Sequence, residues 1–429
     1  MTDLTQDAST RTEAPAEVGR SVADRRREAM PAVTRHLAAG APPSPARLLA
    51  DLAEETALLG ADGGWDRYGE HGPVAELERQ VAELLGKPAA AMFPSGVMAQ
   101  QSVLRCWTDR QGSARVAVPA LSHLLHHEQD GPALLHGLRY EHLTDGPCTP
   151  TAEDLAAVPG PLGAVLLELP LRDGGYLLPS WEELGDLSRA CRERGVPLHL
   201  DGARLWESAP SLGHDLHEVA ALADSVYVSF YKGLRGLAGA AVAGPADVID
   251  EARQWRTRMG GTLYSLHPYA VAALRGLRLE LPRMADYHRR AVDLAEALRD
   301  RGLGVTPDPP HTNAFRVHVP RRTAEVDERV VSLMERERVA LTPAFRDADT
   351  PGWSWTEVTV GATTMEWDPA EAAELLVRTL LGSASGQAAA VTSVVDHVGN
   401  GPFLCSSVWI CPHSEMMRRV ACRRCAVVP

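Results

Sequence analysis

Of the 43 basic residues in this 429-residue chain, only Lys87 and Lys232 are lysines, so arginine carries nearly all the positive charge. A guanidinium supplies charge but keeps its proton, whereas an amine that loses its proton becomes a nucleophile. A lysine retained in so lysine-poor a chain is therefore a candidate for covalent chemistry. Lys87 lies in LLGKPAA, where glycine and proline end a helix, and reads as a solvated turn residue. Lys232 follows the apolar stretch Asp224 to Phe230 and precedes a glycine-rich turn. Partial burial there lowers the pKa of an amine and frees it for attack.

Three other segments carry groups that complement such a lysine. In FPSGVMAQ, at 93 to 100, Ser95, Gly96 and Val97 open a helix whose first amides and positive dipole end could cradle a phosphate; an ordinary glycine-containing helix start is the competing reading. In HLDGAR, Asp201 ends an apolar strand and Arg204 follows three residues on, which gives either an internal ion pair or an acid and a guanidinium facing a ligand. In SHLLHHE, at 122 to 128, His123 offers a ring. Together these meet the needs of pyridoxal phosphate: a Schiff-base lysine, an acid for the pyridinium nitrogen, amides for the phosphate and a ring to stack on the cofactor. A metallohydrolase built on His123, His126, His127 and Glu128, with His199 and Asp201 as further ligands, is the alternative from another class, although no H-E-x-x-H order is present.

These residues must be held by strands and helices. Apolar stretches at Ala114 to Val118, Ala164 to Leu169, Val196 to Leu200, Val226 to Phe230 and Ala238 to Ala243 predict buried strands. Between them lie helical patterns such as Trp181 to Arg194, and PVAELERQVAELLG at 73 to 86 predicts an amphipathic helix. The fold class is therefore α/β, with a mainly parallel sheet in a large domain and ligands at the carboxyl ends of its strands. Beyond Pro245, helical stretches to Arg258 and from Pro268 to Asp300, then FRVHV, a helix at Val326 to Arg338, WTEVTV and a helix at Pro369 to Leu381 predict a smaller α+β C-terminal domain. The expected division is a flexible segment at 1–45, a large domain at 46–262, a small domain at 263–382 and a poorly ordered tail at 383–429. That tail holds Cys405, Cys411, His413, Cys422 and Cys425, which have the ligand types but not the regular spacing of a zinc site.

Composition narrows the partners. A net charge of −13 argues against docking on nucleic acid or anionic membranes, and no apolar run is long enough for a membrane helix. The expectation is a cytoplasmic protein acting on a small molecule.

From about Tyr68 to Gly261, with a looser echo to about Leu381, the chain resembles the threonine aldolase and beta-eliminating lyase group of fold-type-I, aspartate-aminotransferase-like pyridoxal phosphate enzymes. The resemblance is carried by RYGEHGPVAELERQVAELLGK, PSGVMAQ, the histidine and glutamate of SHLLHHEQDG, HLDGARLWE and YKGLRGLAG. It implies that Lys232 bonds the cofactor, Asp201 pairs with the pyridinium and His123 stacks on the ring and serves as a base. It also implies that Arg204 holds the substrate carboxylate and that Ser95, Gly96 and Val97, with Ser229, hold the phosphate. Tyr68 and Glu70 would lie near the site across a subunit interface of a homodimer or homotetramer. The implied reaction cleaves the Cα–Cβ bond of a β-hydroxy-α-amino acid such as L-threonine or L-allo-threonine to glycine and an aldehyde. β-Elimination, racemisation and transamination begin at the same place, and a binding protein that keeps the fold without turnover is a further alternative. Four positions differ from the family pattern: Val97 replaces a threonine, Arg235 a glycine, and Tyr264 and Glu357 stand where arginines are expected.

Overall fold

The computed structural model describes residues 20–38, 43–59 and 64–382. Seven strands form the central sheet: β1 (Ala89–Phe93), β2 (Arg115–Val118), β3 (Arg139–His142), β4 (Ala164–Glu168), β5 (Leu198–Gly202), β6 (Ser225–Ser229) and β7 (Ala240–Gly244). Their order across the sheet is β1-β7-β6-β5-β4-β2-β3. The five strands from β3 to β6 pair parallel, while β7 pairs antiparallel with both β6 and β1. Every residue of β4 to β7 is buried, as expected of strands covered on both faces.

One face is covered by helices α2 (Gly96–Gln111) and α6 (Ala246–Arg258), where Val103, Leu104 and Ile249 pack on Leu166 and Val242. On the other face, α1 (Gly72–Leu84), α4 (Trp181–Arg194) and α7 (His267–Leu279) bury Leu77, Leu187 and Leu274 with Leu200 and Val226. Here α3 denotes the short helix His123–His126, and α5 denotes Leu205–Leu212.

A second sheet of four antiparallel strands follows: β8 (Gly304–Thr306), β9 (Ala314–Val319), β10 (Arg346–Asp347) and β11 (Ser354–Thr359), in the order β10-β11-β9-β8. It packs with α8 (Met284–Arg299), α9 (Thr323–Glu337) and α10 (Pro369–Leu381) through Leu294, Val317, Val330 and Leu376. Ahead of the large sheet, the helix Val22–Ala29 is tied to α9 by Arg25, whose guanidinium pairs with Glu328 at 2.8 Å and Glu335 at 2.6 Å. The stretch expected to be one helix from Pro268 to Asp300 is two, because Pro282 sits in a 3₁₀ turn at Leu281–Arg283 between α7 and α8. No helix among the described residues is long and apolar enough to cross a membrane. Cys405, Cys411, His413, Cys422 and Cys425 lie outside the described residues.

Register sets up the site. On the three central strands Glu168 lies opposite Asp201, and Asp201 opposite Tyr227, so a row of polar side chains crosses the carboxyl ends of β4, β5 and β6. This is where open α/β sheets bind ligands.

Candidate active site

A cleft of about 340 Å³ opens at these strand ends, lined by residues from the starts of α2 and α3 and from the loops after β4, β5 and β6. Ser95, Gly96, Val97, His123, Asp201, Arg204 and Lys232 all line it. Seven of the ten residues singled out in the sequence thus meet in one cavity. Ser229 is buried at the end of β6 without lining it, and Tyr68 and Glu70 lie outside it in a turn closed by an Arg67–Glu70 bridge.

Ser95 caps α2, its hydroxyl accepting from the Met98 amide at 3.3 Å. The Gly96 and Val97 amides are first-turn groups without intrahelical acceptors. Gly96 is required by space, since a Cβ there would lie 2.0 Å from the Tyr227 hydroxyl. Gly233, directly after Lys232, is equally constrained, with a Cβ meeting the Glu207 carboxylate at 2.3 Å. Burial lowers the pKa of Lys232, and the nearby Arg204 guanidinium lowers it further. The Arg204 Nε is buried without a hydrogen-bond partner, and its guanidinium lies 5.6 Å from the centre of the Tyr176 ring.

His123 is held from two sides. Its backbone amide donates to Glu168 at 2.8 Å, and its ring Nδ1 faces the buried Glu128 carboxylate at 3.8 Å. That carboxylate raises the pKa of His123 against the opposing effect of burial. Glu128 is fixed in turn by the Gln101 amide at 3.0 Å. Asp201 accepts from the Gln100 side-chain amide at 2.5 Å and from the Ala203 backbone at 3.1 Å.

The histidines proposed as metal ligands diverge. His126 bonds the Ala120 carbonyl at 2.8 Å, His127 pairs with Asp173 at 2.6 Å, and His199 is buried behind the cleft against Ser225 and Gln100. Among the described residues no cluster of three or more such side chains could hold a metal ion.

Five polar lining residues were not singled out as site residues in the sequence: Gln100, Glu168, Arg172, Tyr227 and Tyr231. Glu168 carried a usable signal, an acid ending an apolar strand one place in the sheet from Asp201. Burial, and secondly the neighbouring Asp201, push it up to about 8. Arg172 pairs with Glu357 of β11 at 2.8 Å, so the acid standing in an expected arginine's place is the partner of an arginine from the β4 loop. Arg235 adopts φ +57° and does not line the cleft.

Comparison with known proteins places the chain in a family. The family model described as beta-eliminating lyase matches residues 53–321. The chain belongs to the beta-eliminating lyase family. Within that family it is 30% identical over 255 residues to the low specificity L-threonine aldolase of Escherichia coli O157:H7, covering 58% of this chain and 76% of the relative. Low-specificity L-threonine aldolase 1 of Arabidopsis thaliana is 29% identical over 273 residues, 61% of this chain and 76% of the relative. A solved Listeria monocytogenes structure assigned as an L-allo-threonine aldolase superposes with a TM-score of 0.78 at 35% identity, covering 84% of this chain and 99% of that one. Serine palmitoyltransferase from Sphingomonas wittichii, at 16% identity and a TM-score of 0.54, shares the fold alone.

As a fold-type-I beta-eliminating lyase, the chain is a pyridoxal phosphate-dependent enzyme. The residues present fit that cofactor. A buried lysine of lowered pKa, a carboxylate across the cleft, an imidazole and an open helix N-terminus are the donor set it needs, and the Gly96 approach leaves the helix start free of side-chain bulk.

Proposed function

We propose that this enzyme cleaves the Cα–Cβ bond of a β-hydroxy-α-amino acid such as L-threonine or L-allo-threonine, releasing glycine and an aldehyde. The observation that carries the reading is the convergence of Lys232, Asp201, His123 and Arg204 on one cleft. The names of the relatives support it.

Each side chain has a task its environment suits. Lys232, with its pKa lowered, would be the amine that holds the cofactor covalently and releases it when the substrate amine arrives. Arg204, its Nε unpartnered, receives the substrate carboxylate in a forked pair. Gly96 and Val97 amides with the Ser95 cap would hold the phosphate, Asp201 would pair with the pyridinium nitrogen, and His123 would stack on the ring and take the proton from the β-hydroxyl. Bound there, pyridoxal phosphate supplies the electron sink for the pair released when Cα–Cβ breaks.

The assembly we propose is a homodimer or homotetramer. Trp65, Tyr68 and Tyr264 are exposed, and Tyr68 and Tyr264 pack edge to face at 5.5 Å. Gly261 abuts Met98 in the first turn of α2, so this aromatic surface borders the helix that opens on the cleft. A second copy covering it would also bring new groups to the site. Sedimentation of wild type as a dimer or larger, with Tyr264→Glu shifted toward monomer, is the expected result; a monomeric wild type would end this part of the reading. We assign the enzyme to the cytoplasm, in keeping with the unpaired buried thiols of Cys106 and Cys191.

The reaction is tested by recording the visible spectrum of purified protein loaded with pyridoxal phosphate and of Lys232→Ala. L-Threonine, L-allo-threonine and phenylserine are then supplied and glycine and aldehyde assayed. A visible band absent from Lys232→Ala, with glycine formed by wild type alone, is the expected outcome. A band with ammonia and keto acid but no glycine would redirect the reading to β-elimination.

A further inference from the structure

Behind Asp201 a line of buried polar side chains runs away from the cleft. Trp107 Nε1 lies 2.8 Å from Ser225 Oγ, Ser225 Oγ 2.9 Å from His199 Nδ1, His199 Nε2 3.2 Å from Gln100 Oε1, and Gln100 Nε2 2.5 Å from Asp201 Oδ2. All five residues are buried, His199 and Ser225 completely. The arrangement comes from matched periods. Gln100 and Trp107, seven residues apart, share one face of α2, while His199 and Asp201, two apart, share one face of β5.

The direction of every bond follows from donor chemistry. An indole N–H can only donate, so Ser225 Oγ accepts from Trp107; it gives its own proton to His199 Nδ1 because the amide turned by Asp201 sets an acceptor oxygen against Nε2, which must then carry the ring proton. Burial pushes His199 down to about 3, so the ring is neutral and its single proton sits on Nε2. That proton goes to Gln100 Oε1, which turns the amide so that its nitrogen donates to Asp201. A flipped amide would set oxygen against oxygen at 2.5 Å.

We propose that Trp107, Ser225, His199 and Gln100 are positioning residues that hold Asp201 as a pure hydrogen-bond acceptor, aimed at the cofactor's pyridinium nitrogen. The aim of Asp201 rests on the reading given under Proposed function; the direction of the relay does not. Of the four, His199 alone was assigned a role from sequence, as a metal ligand in the metallohydrolase alternative, and only Gln100 reaches the cleft wall.

Two measurements test this. In cofactor-free protein labelled with ¹⁵N-histidine, the His199 signals, identified by their loss in His199→Asn, should report an Nε2-protonated neutral ring that does not titrate between pH 5 and 8. An Nδ1-protonated ring, or one titrating near 6.5, would overturn the relay. Separately, the dissociation constant and visible absorption maximum of bound pyridoxal phosphate are compared in wild type, Gln100→Leu and Gln100→Glu. Both substitutions fill the same space, yet neither leaves the neutral amide donor, and folding is checked by circular dichroism and thermal melting. A hydrogen bond to a charged acceptor predicts roughly tenfold weaker binding or more, with a shifted band. Unchanged affinity and spectrum in well-folded Gln100→Leu would overturn the relay alone. A wild-type protein that fails to bind pyridoxal phosphate would instead overturn the reading of the cleft, and with it the role given to Asp201.

Discussion

Two acids side by side at the ends of neighbouring strands cannot both be charged cheaply. Glu168, fully buried and facing Asp201 across the β4–β5 register, is the one pushed up, to about 8. Its two oxygens accept from the His123 and Arg172 amides at 2.8 and 3.2 Å, so it fixes the loops that carry the His123 imidazole and a lining arginine. A neutral Glu168 does this without setting a second negative charge beside Asp201. The stability consequence has a definite sign. The unfolded acid titrates near its ordinary value of 4.5, so the protonated form is favoured in the fold. The stabilisation is complete below about 4.5 and is lost as pH rises through about 8. The melting temperature of the cofactor-free protein should therefore fall from pH 5 to pH 9, and Glu168→Gln should flatten that fall. Parallel curves for the two proteins would contradict the assignment.

At the scale of elements, the cleft depends on how closely the start of α2 approaches β6. The Gly96–Tyr227 contact leaves no room for a methyl group, so Gly96→Ala must displace either the tyrosine or the helix start whose free amides, in the proposed reading, hold the phosphate. We expect Gly96→Ala to weaken cofactor binding at least tenfold in equilibrium dialysis, and Tyr227→Phe in the same chain to restore part of it by removing the oxygen nearest the new methyl. Elements with local punctuation were legible in the sequence. Trp181–Arg194 has a capping box from Ser180 and Glu183 and a left-handed glycine at Gly195, and its bounds were read as they are. Pro369–Leu381, capped by Asp368, was read as well as this. The strand Ala89–Phe93 was not, because AAAMF has no β-branched residue and takes its place only through pairing with β7. β5 was placed two residues early, since its apolar stretch gives no sign that pairing with β4 and β6 continues through Asp201 and Gly202. The site divides the same way. Lys232, Asp201 and His123 carry their chemistry in residue type and local setting, whereas Glu168, Gln100 and Arg172 acquire theirs from partners 45 to 185 residues away in the chain.

For the molecule as a whole, the question is what couples the four-stranded sheet to a cleft built almost entirely from the seven-stranded one. The link on the cleft wall is Arg172, from the loop after β4, paired with Glu357 on β11 at 2.8 Å and lying 3.6 Å from Asp173. Arg316 on β9 braces the same loop, donating to the carbonyls of Arg172 and Asp173 at 3.1 Å. Glu357 thus orients an arginine that the other sheet supplies, and the second sheet contributes to the site by aiming a cation without lining the cleft itself. The Arg172 and Glu357 side chains are each less than a quarter exposed or close to it, so the pair is shielded more than a surface bridge and its rupture leaves a partly desolvated charge. Glu357→Gln should therefore raise KM for the amino acid substrate and lower the melting temperature. Arg172→Met should do the same, and the double variant should show a coupling of about 1–3 kcal/mol between the two sites. Additive losses in the double-mutant cycle would mean that the two sheets act on the cleft independently, with Arg172 held by Asp173 and the loop backbone alone.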